Sequence, residues 1–283
     1  MNFGLDEEQQ EIKRIAHDLL EQRSGFGQVR AAAQAAAAAL GAAGSEEQRA
    51  AWLPRLASGE ATAALGFLSE GVAVPVPDAA DAQLLVLVED GRAGLFVPAE
   101  LTVAPFETID PTRRYARVSV LPGSGEPLPG DPAPALDAAA VLLAAELLGV
   151  SRRALEMTVA YVKERHQFGT PIGAFQAVAH RCAEMLVATE GARSATYFAA
   201  WAVDADPAQR VRATALAALT AAAAAREVTA AAIQAHGGIG FTWEADVHWL
   251  YKRAQLDAAL LGGSAAQRLT LASLLHPDLA AAA

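Results

Sequence analysis

The spacing of hydrophobic and polar residues changes twice along this chain, near residue 63 and again near residue 132. From Leu5 to about Ala63 the apolar residues recur at helical intervals. Ser45-Glu46-Glu47-Gln48 is typical of a capping box that opens a helix, and Gly59 is expected to close that helix. One face of the predicted first helix carries Leu5, Ile12, Ile15, Leu19 and Leu20.

Short apolar runs replace the helical spacing between about Ala64 and Asp131. Residues 84–88 and 94–97 flank Glu89-Asp90-Gly91-Arg92, which predicts a β-hairpin. Residues 118–120 indicate a third short strand. A group of prolines then predicts a linker, namely Pro122, Pro127, Pro129, Pro132 and Pro134.

The rest of the chain is predicted to be helical, with long helices over residues 136–166, 173–205 and 207–235 and shorter helices after them. Asp206 and Pro207 are expected to open the third long helix as capping residue and first helical residue. Short connections favour an antiparallel four-helix bundle. We therefore predict a mainly α protein, with a helical domain over 1–63, a small β-domain over 64–131 and a bundle over 132–283.

Composition and charge narrow the possible partners of the chain. Of its 283 residues, 53% are hydrophobic, and the alanines among them favour helix while burying little area each. A net charge of −10 argues against binding to nucleic acid or to an anionic membrane. The lone Cys182 excludes a disulfide framework and a cysteine-based metal site. We see no leader pattern and no long uninterrupted apolar run, so we expect no signal peptide, no membrane span and a cytoplasmic protein.

The first candidate for chemistry runs from Arg165 to Gln176 and reads as a helix end, a glycine-containing turn and a new helix start. In a purely structural interpretation, Arg165 complements the helix dipole, Gly169 caps the helix and Pro171 prevents its continuation. In a functional interpretation, Arg165 and the free amides of the turn face an anion such as a pyrophosphate.

The second candidate runs from Gln234 to Gly240 and places three glycines within four residues after a long helix. It can be a helix cap with a tight turn, or a backbone surface that contacts phosphate or ribose through its amides.

Both motifs, together with residues 144–149 and 175–180, closely resemble the C-terminal domain of acyl-CoA dehydrogenases. Residues 108–114 resemble the end of that family's β-domain, and residues 45–59 resemble its last N-terminal helix. The resemblance implies FAD, oxidation of an acyl-CoA thioester to the 2,3-enoyl thioester, and an electron-transfer flavoprotein as acceptor. It also implies that the adenosine-pyrophosphate half of FAD is bound by a neighbouring subunit through Arg165, Gln167, Phe168, Gln176, Gln234, Gly237 and Gly238.

The same resemblance predicts that this chain has no catalytic base. When residues 251–254 are laid against the family, Leu261 takes the position of the usual glutamate, and a leucine cannot accept a proton. Some relatives carry the base early in the first long C-terminal helix, where about Ala139 stands here. Glu146 lies two helical turns further on.

The middle domain is also short, because Val72 is followed almost directly by the strand at Leu84 without the strands that usually cradle the flavin ring. The N-terminal domain is about half its usual length. This pattern resembles the base-less subunit of heteromeric acyl-CoA dehydrogenases that shorten sterol side chains, whose full-length partner carries the glutamate.

Two alternatives stay open: a homo-oligomer with a relocated base such as Asp257, or a non-catalytic flavin- or acyl-CoA-binding protein. Asp257 and Glu146 can also be solvated helix residues.

Overall fold

The computed structural model describes residues 31–260 and 263–275, and these form two compact units that divide between Ala139 and Ala140. The predicted first helix, with Leu5 to Leu20, lies outside the described residues. The division into three domains stays a prediction.

Two helices precede the sheet of the first unit, α1 over Ala31–Ala43 and α2 over Glu46–Ser58. The predicted capping box is confirmed, since the Gln48 amide donates to Ser45 Oγ (3.2 Å) and the Ser45 amide donates to Gln48 Oε1 (2.9 Å). Gly59 closes α2 with a φ of 76°, which is the left-handed conformation that glycine adopts without strain.

Seven strands form one sheet in the order β5-β6-β2-β1-β3-β4-β7, in which β1 and β3 are parallel and all other neighbours are antiparallel. Alternate residues of β3 face opposite sides, with Leu84, Val86 and Val88 against α1 and Leu85 and Leu87 in the other core. The strands are β1 Ala63–Ser69, β2 Val72–Pro77, β3 Leu84–Glu89, β4 Arg92–Phe96, β5 Leu101–Phe106, β6 Tyr115–Val120 and β7 Glu126–Pro127.

Two tight turns connect neighbouring strands of this sheet. The predicted hairpin is confirmed, because Asp90 (φ 48°) and Gly91 (φ 74°) join β3 to β4. Glu70 (φ 54°) and Gly71 (φ 75°) join β1 to β2 in the same way. The expectation that the chain passes almost directly from Val72 to Leu84 is therefore wrong, since β2 and a short 3-10 helix over Ala79–Asp81 lie in that interval.

The proline-rich segment before the second unit is packed rather than free. Its β7 pairs with β4, Leu128 is buried, and the Gly130 amide donates to the Ala43 carbonyl oxygen (2.8 Å). Each proline lacks a backbone N–H donor, but the neighbouring residues still form hydrogen bonds that hold this segment against the sheet and α1.

The second unit is built from helices α3 to α7. The division between the two units falls within α3. The start predicted for the third long helix at Asp206–Pro207 is three residues early, because that helix begins at Arg210. Asp206 instead ends α4, and its carboxylate accepts from Gln209 Nε2 (2.7 Å) just before α5 begins. The helices are α3 Ala133–Glu164, α4 Gln176–Ala205, α5 Arg210–His236, α6 Val247–Asp257 and α7 Gly263–Leu275.

Alanine sets the contact between α4 and α5. The buried face of α5 carries Ala213, Ala217, Ala221, Ala225 and Ala232, all with no exposed surface. Buried threonines between the alanines donate their hydroxyls to carbonyl oxygens one turn earlier, as Thr196 does to Ala192 (2.8 Å). Small side chains allow close approach of the two helices, and no polar hydroxyl of this kind is left unsatisfied.

Two segments, Ala133–Glu164 and Arg210–Phe241, are long and apolar enough to cross a membrane by length and composition alone. A core helix passes the same test, and both segments contribute buried residues to the core. The expectation of no membrane span stays a prediction.

Candidate functional site

The end of α3 leads into a two-stranded hairpin that carries the first predicted motif. The Arg165 amide donates to the Tyr161 carbonyl oxygen (2.9 Å), and strands β8 His166–Gln167 and β9 Thr170–Pro171 follow. Phe168 (φ 54°) and Gly169 (φ 80°) form the turn between them. The structural interpretation of Gly169 as a helix cap is therefore wrong, because this residue belongs to the hairpin turn.

The predicted cofactor residues of this hairpin all face outward. Phe168 is 95% exposed on a backbone conformation that is uncommon for a bulky side chain, and its ring meets Phe175 edge-on with centroids 6.3 Å apart. Arg165, Gln167 and Gln176 are exposed, and no described acidic group forms an ion pair with Arg165. The hairpin thus presents a free guanidinium, an amide side chain and an aromatic ring to the outside.

The second motif turns sharply at the end of α5. Gly237 has φ 65° and ψ −143°, a conformation open essentially to glycine alone. A Cβ on Gly238 would meet no atom within 4 Å, whereas a Cβ on Gly240 would lie 2.7 Å from the Ile233 carbonyl oxygen. Gly240 is therefore required by packing inside the chain, while the space in front of Gly238 is open.

One ring contact brings the two motifs to the same end of the unit. The rings of Tyr161 and His236 stack with centroids 4.4 Å apart and planes 19° apart. Arg165 follows Tyr161 by one turn, and Gly237 follows His236 directly. Gln234 belongs to an open groove of about 370 Å³ between α4 and α5, whose other lining residues are Arg181, Glu184, Met185, Glu227, Ala230 and Ala231.

These residues suit an anionic cofactor bound from outside the chain. A guanidinium forms charge-assisted hydrogen bonds with phosphate oxygens, and the first turn of α4 offers free amides with the positive end of the helix dipole. Open space at Gly237 and Gly238 lets a ligand approach the backbone. The pyrophosphate and adenosine of FAD fit this set of donors.

Two of the positions considered for a catalytic base are buried in the structure. Leu261 lies outside the described residues, and Ala139 is a buried core alanine. Asp257 has 0% exposed surface. The cavity it helps to line has a volume of only about 10 Å³, enough for about one water molecule.

The interpretation of Asp257 and Glu146 as solvated residues is wrong. Asp257 is fully buried, and Glu146 Oε1 forms an ion pair with Arg253 (2.9 Å) across α3 and α6, with the two side chains 17% and 11% exposed. Losing one partner of a buried pair costs about 3–5 kcal/mol. This pair therefore helps to fix α6 against α3.

A cluster that the sequence argument missed surrounds the start of α6. Lys252 Nζ lies 4.5 Å from the ring centroid of Trp243 and 4.4 Å from that of Trp249. His248 packs against both indoles, and neither of its ring nitrogens has a hydrogen-bond partner among the described residues. Burial lowers the pKa of His248, Lys252 lowers it further, and Asp246 opposes the shift. The four-residue spacing of His248 and Lys252 was the available signal.

Metal ligation has no candidate in the part of the chain that the structure describes, since no three His, Cys, Asp or Glu side chains there lie close enough to hold an ion.

Comparison with known proteins gives concordant results. Acyl-CoA dehydrogenase IpdE2 of Mycolicibacterium smegmatis is 44% identical over 161 residues, which is 57% of this chain and 49% of the relative. A variant of the steroid ACAD Tcur3481-Tcur3483 matches with a TM-score of 0.79 and 25% identity over 88% of this chain and 76% of that chain. The ChsE4-ChsE5 complex from Mycobacterium tuberculosis matches with a TM-score of 0.77 and 25% identity over 85% of this chain and 74% of that chain.

The chain spans about half the length of the IpdE2 relative it matches. A family model described as acyl-CoA dehydrogenase, C-terminal domain, matches residues 133–276, which include the hairpin motif, the glycine motif and α6. Members of that family are FAD-dependent. With more than half of its length matched, the chain belongs to the acyl-CoA dehydrogenase family.

Proposed function

We propose that this chain is a subunit of a hetero-oligomeric acyl-CoA dehydrogenase and supplies the adenosine-pyrophosphate half of a flavin site to a partner subunit. The observation that carries the proposal is the outward-facing set of Arg165, Phe168 and the Gly237-Gly238 backbone at one end of the helical unit. Their outward orientation favours a cofactor shared with a neighbouring subunit, and the lack of an ionisable side chain at residues 139 and 261 favours an unlike subunit over a second copy of this chain. Here they are available to a cofactor held largely by another chain.

FAD, when bound there, would supply the acceptor for the hydride that leaves the β-carbon of the acyl thioester. The residues of this chain would bind and orient the cofactor. Arg165 would neutralise phosphate charge, the open space at Gly238 would let the phosphates approach the backbone, and Gln167, Gln176 and Gln234 would offer side-chain amide groups to the adenosine half. Phe168 provides an exposed apolar ring that the cofactor or the partner covers.

The proton at the α-carbon needs a carboxylate close to it, and we assign that group to the partner. Leucine stands at residue 261, and Ala139 has no ionisable group. Asp257 has no surface that a substrate carbon can contact. Its burial argues against the homo-oligomer with a relocated base.

The substrate we propose is a steroid CoA thioester, with an electron-transfer flavoprotein as acceptor. The support is the match to the steroid ACAD at 25% identity over 88% of the chain. Turnover of a steroid CoA thioester by the assembled protein, compared with a straight-chain acyl-CoA, tests this assignment. Equal or faster turnover of the straight chain would refute it.

Flavin stoichiometry tests the assembly. The chain is expressed alone and together with a full-length acyl-CoA dehydrogenase-like chain encoded beside it, and flavin absorbance is measured against the amount of protein. We expect a colourless chain alone and a yellow complex with one FAD for each pair of unlike chains. A stable yellow homo-oligomer with one FAD for each chain would overturn the proposal, and a complex without dehydrogenase activity would favour the non-catalytic alternative.

A further inference from the structure

The two segments of the flavin half-site, the hairpin and the glycine turn, follow different helices. Contacts between the ends of those helices must therefore fix the position of one segment relative to the other. Arg165 stands one residue after the end of α3, and Gly237 stands one residue after the end of α5. The ends of these helices are joined in space by the stacked rings of Tyr161 and His236. Neither residue belongs to the set predicted to contact FAD.

Tyr161 contacts the hairpin segment through its backbone. Its carbonyl oxygen accepts the hydrogen bond from the Arg165 amide (2.9 Å), which continues the last turn of α3 into the hairpin. The Arg165 carbonyl oxygen in turn accepts from the Ile172 amide (2.8 Å) and closes the hairpin base. The position of the Tyr161 residue therefore fixes the backbone from which the Arg165 side chain extends.

His236 contacts the glycine segment by packing against its turn. Its Nδ1 lies 2.7 Å from the Ala232 carbonyl oxygen, which orients the ring along α5. Its Cβ lies 3.1 Å from the position that a Cβ on Gly240 would take, so the glycine turn packs directly on this histidine. His236 is thus held between the Tyr161 ring on one side and the turn on the other.

We infer that Tyr161 and His236 are positioning residues that set the spacing between the guanidinium of Arg165 and the exposed backbone of Gly237 and Gly238. The stacked rings form a direct connection from the last turn of α3 to the last residue of α5. Replacing the Tyr161 ring with a flexible side chain lets the two phosphate-binding segments shift independently. This inference rests on the proposed flavin half-site.

The test compares Tyr161→Leu with Tyr161→Phe in the assembled flavoprotein, with added FAD as the probe. Tyr161→Phe keeps the ring and should bind FAD within about twofold of the unmodified protein. Tyr161→Leu should bind FAD about 10-fold more weakly, the order of loss found when a residue that orients a metal ligand is removed. Turnover for each bound flavin should change little, because the Tyr161 ring packs on His236 and is not in the set predicted to contact FAD.

Trp201→Leu is the matched control, since it removes a ring stacked on Phe198 in α4, far along the helix from Gln176. If Trp201→Leu lowers the melting temperature as much as Tyr161→Leu does and weakens FAD equally, the Tyr161 effect is general destabilisation and the inference is wrong. Arg165→Ala distinguishes a failure of the proposed half-site from a failure of the positioning role of Tyr161. Unchanged FAD binding in Arg165→Ala would refute the half-site itself, whereas loss in Arg165→Ala without loss in Tyr161→Leu would refute only the positioning role.

Discussion

Gly238 offers a direct way to probe the space outside the glycine turn, because an added methyl group there meets nothing within the chain. The structure places no atom within 4 Å of a Cβ built on this residue, and its φ lies outside the left-handed region. Gly238→Ala should therefore leave the fold intact. Replacing glycine by alanine at a compatible position stabilises a protein by about 0.4–1 kcal/mol through the unfolded state.

The effect on the cofactor should be opposite in sign. If the Gly238 amide lies against a phosphate or ribose of FAD, the methyl group occupies space that the cofactor needs. Inserting one extra methyl group into a packed contact costs about 1–3 kcal/mol. That free energy corresponds to roughly 5- to 150-fold weaker FAD binding.

The assay measures FAD affinity and melting temperature of the same variant of the assembled protein. Gly240→Ala is the matched control, because its Cβ would lie 2.7 Å from the Ile233 carbonyl oxygen and should lower the melting temperature. A Gly238→Ala protein with unchanged stability and unchanged FAD affinity would show that nothing occupies this space, and the reasoning for the half-site would be refuted.

Three further predictions follow from the same structure. Arg165→Ala should weaken FAD binding by about 10- to 100-fold, because it removes charge-assisted hydrogen bonds worth roughly 1.5–3 kcal/mol, and it should change the melting temperature little. A lower melting temperature with full flavin content would contradict this prediction. Asp257→Asn should leave turnover for each bound flavin within a few-fold of the unmodified complex, as should Leu261→Ala; abolished turnover with FAD still bound in Asp257→Asn would place the base in this chain. The pKa of His248 is lowered by folding, so near pH 6.5 the unfolded state binds more protons than the folded state and stability should fall as the pH drops through that value. His248→Gln should flatten this part of the profile of melting temperature against pH. An unaltered slope would refute the assignment of this pH dependence to His248.

Local signals in the sequence predicted several elements correctly. The Ser45 capping box and the Asp90-Gly91 turn each depend on residues within four positions of one another, and both are found as expected. The strand β2 was missed because Val72–Pro77 contains two prolines, which usually indicate a loop. The start of α5 was misplaced because Asp206 and Pro207 have the composition of a helix start, whereas Asp206 caps the end of α4 and Pro207 lies in the turn before α5.

The candidate site was predictable as a set of residues but not as a geometry. Family resemblance identified Arg165 and the glycines, which lie in short continuous motifs. The contact of Tyr161 with His236 joins residues that are distant in sequence, and no periodic pattern indicates it. Burial of Asp257 was also unpredictable, because the spacing of a helix does not show how much neighbouring helices cover each face.

The alanine-lined contact between α4 and α5 has a consequence for how this chain can change in evolution. Each buried methyl group there holds the helices at a fixed separation, and adding even one carbon forces a shift that costs about 1–3 kcal/mol. Larger residues should therefore be poorly tolerated at the buried Ala221 and Ala225, whereas exposed alanines of the same helix, such as Ala223 and Ala230, should tolerate them. Two alanines identical in the sequence thus differ sharply in tolerance, and a substitution scan of α5 should recover the helical period from viability alone.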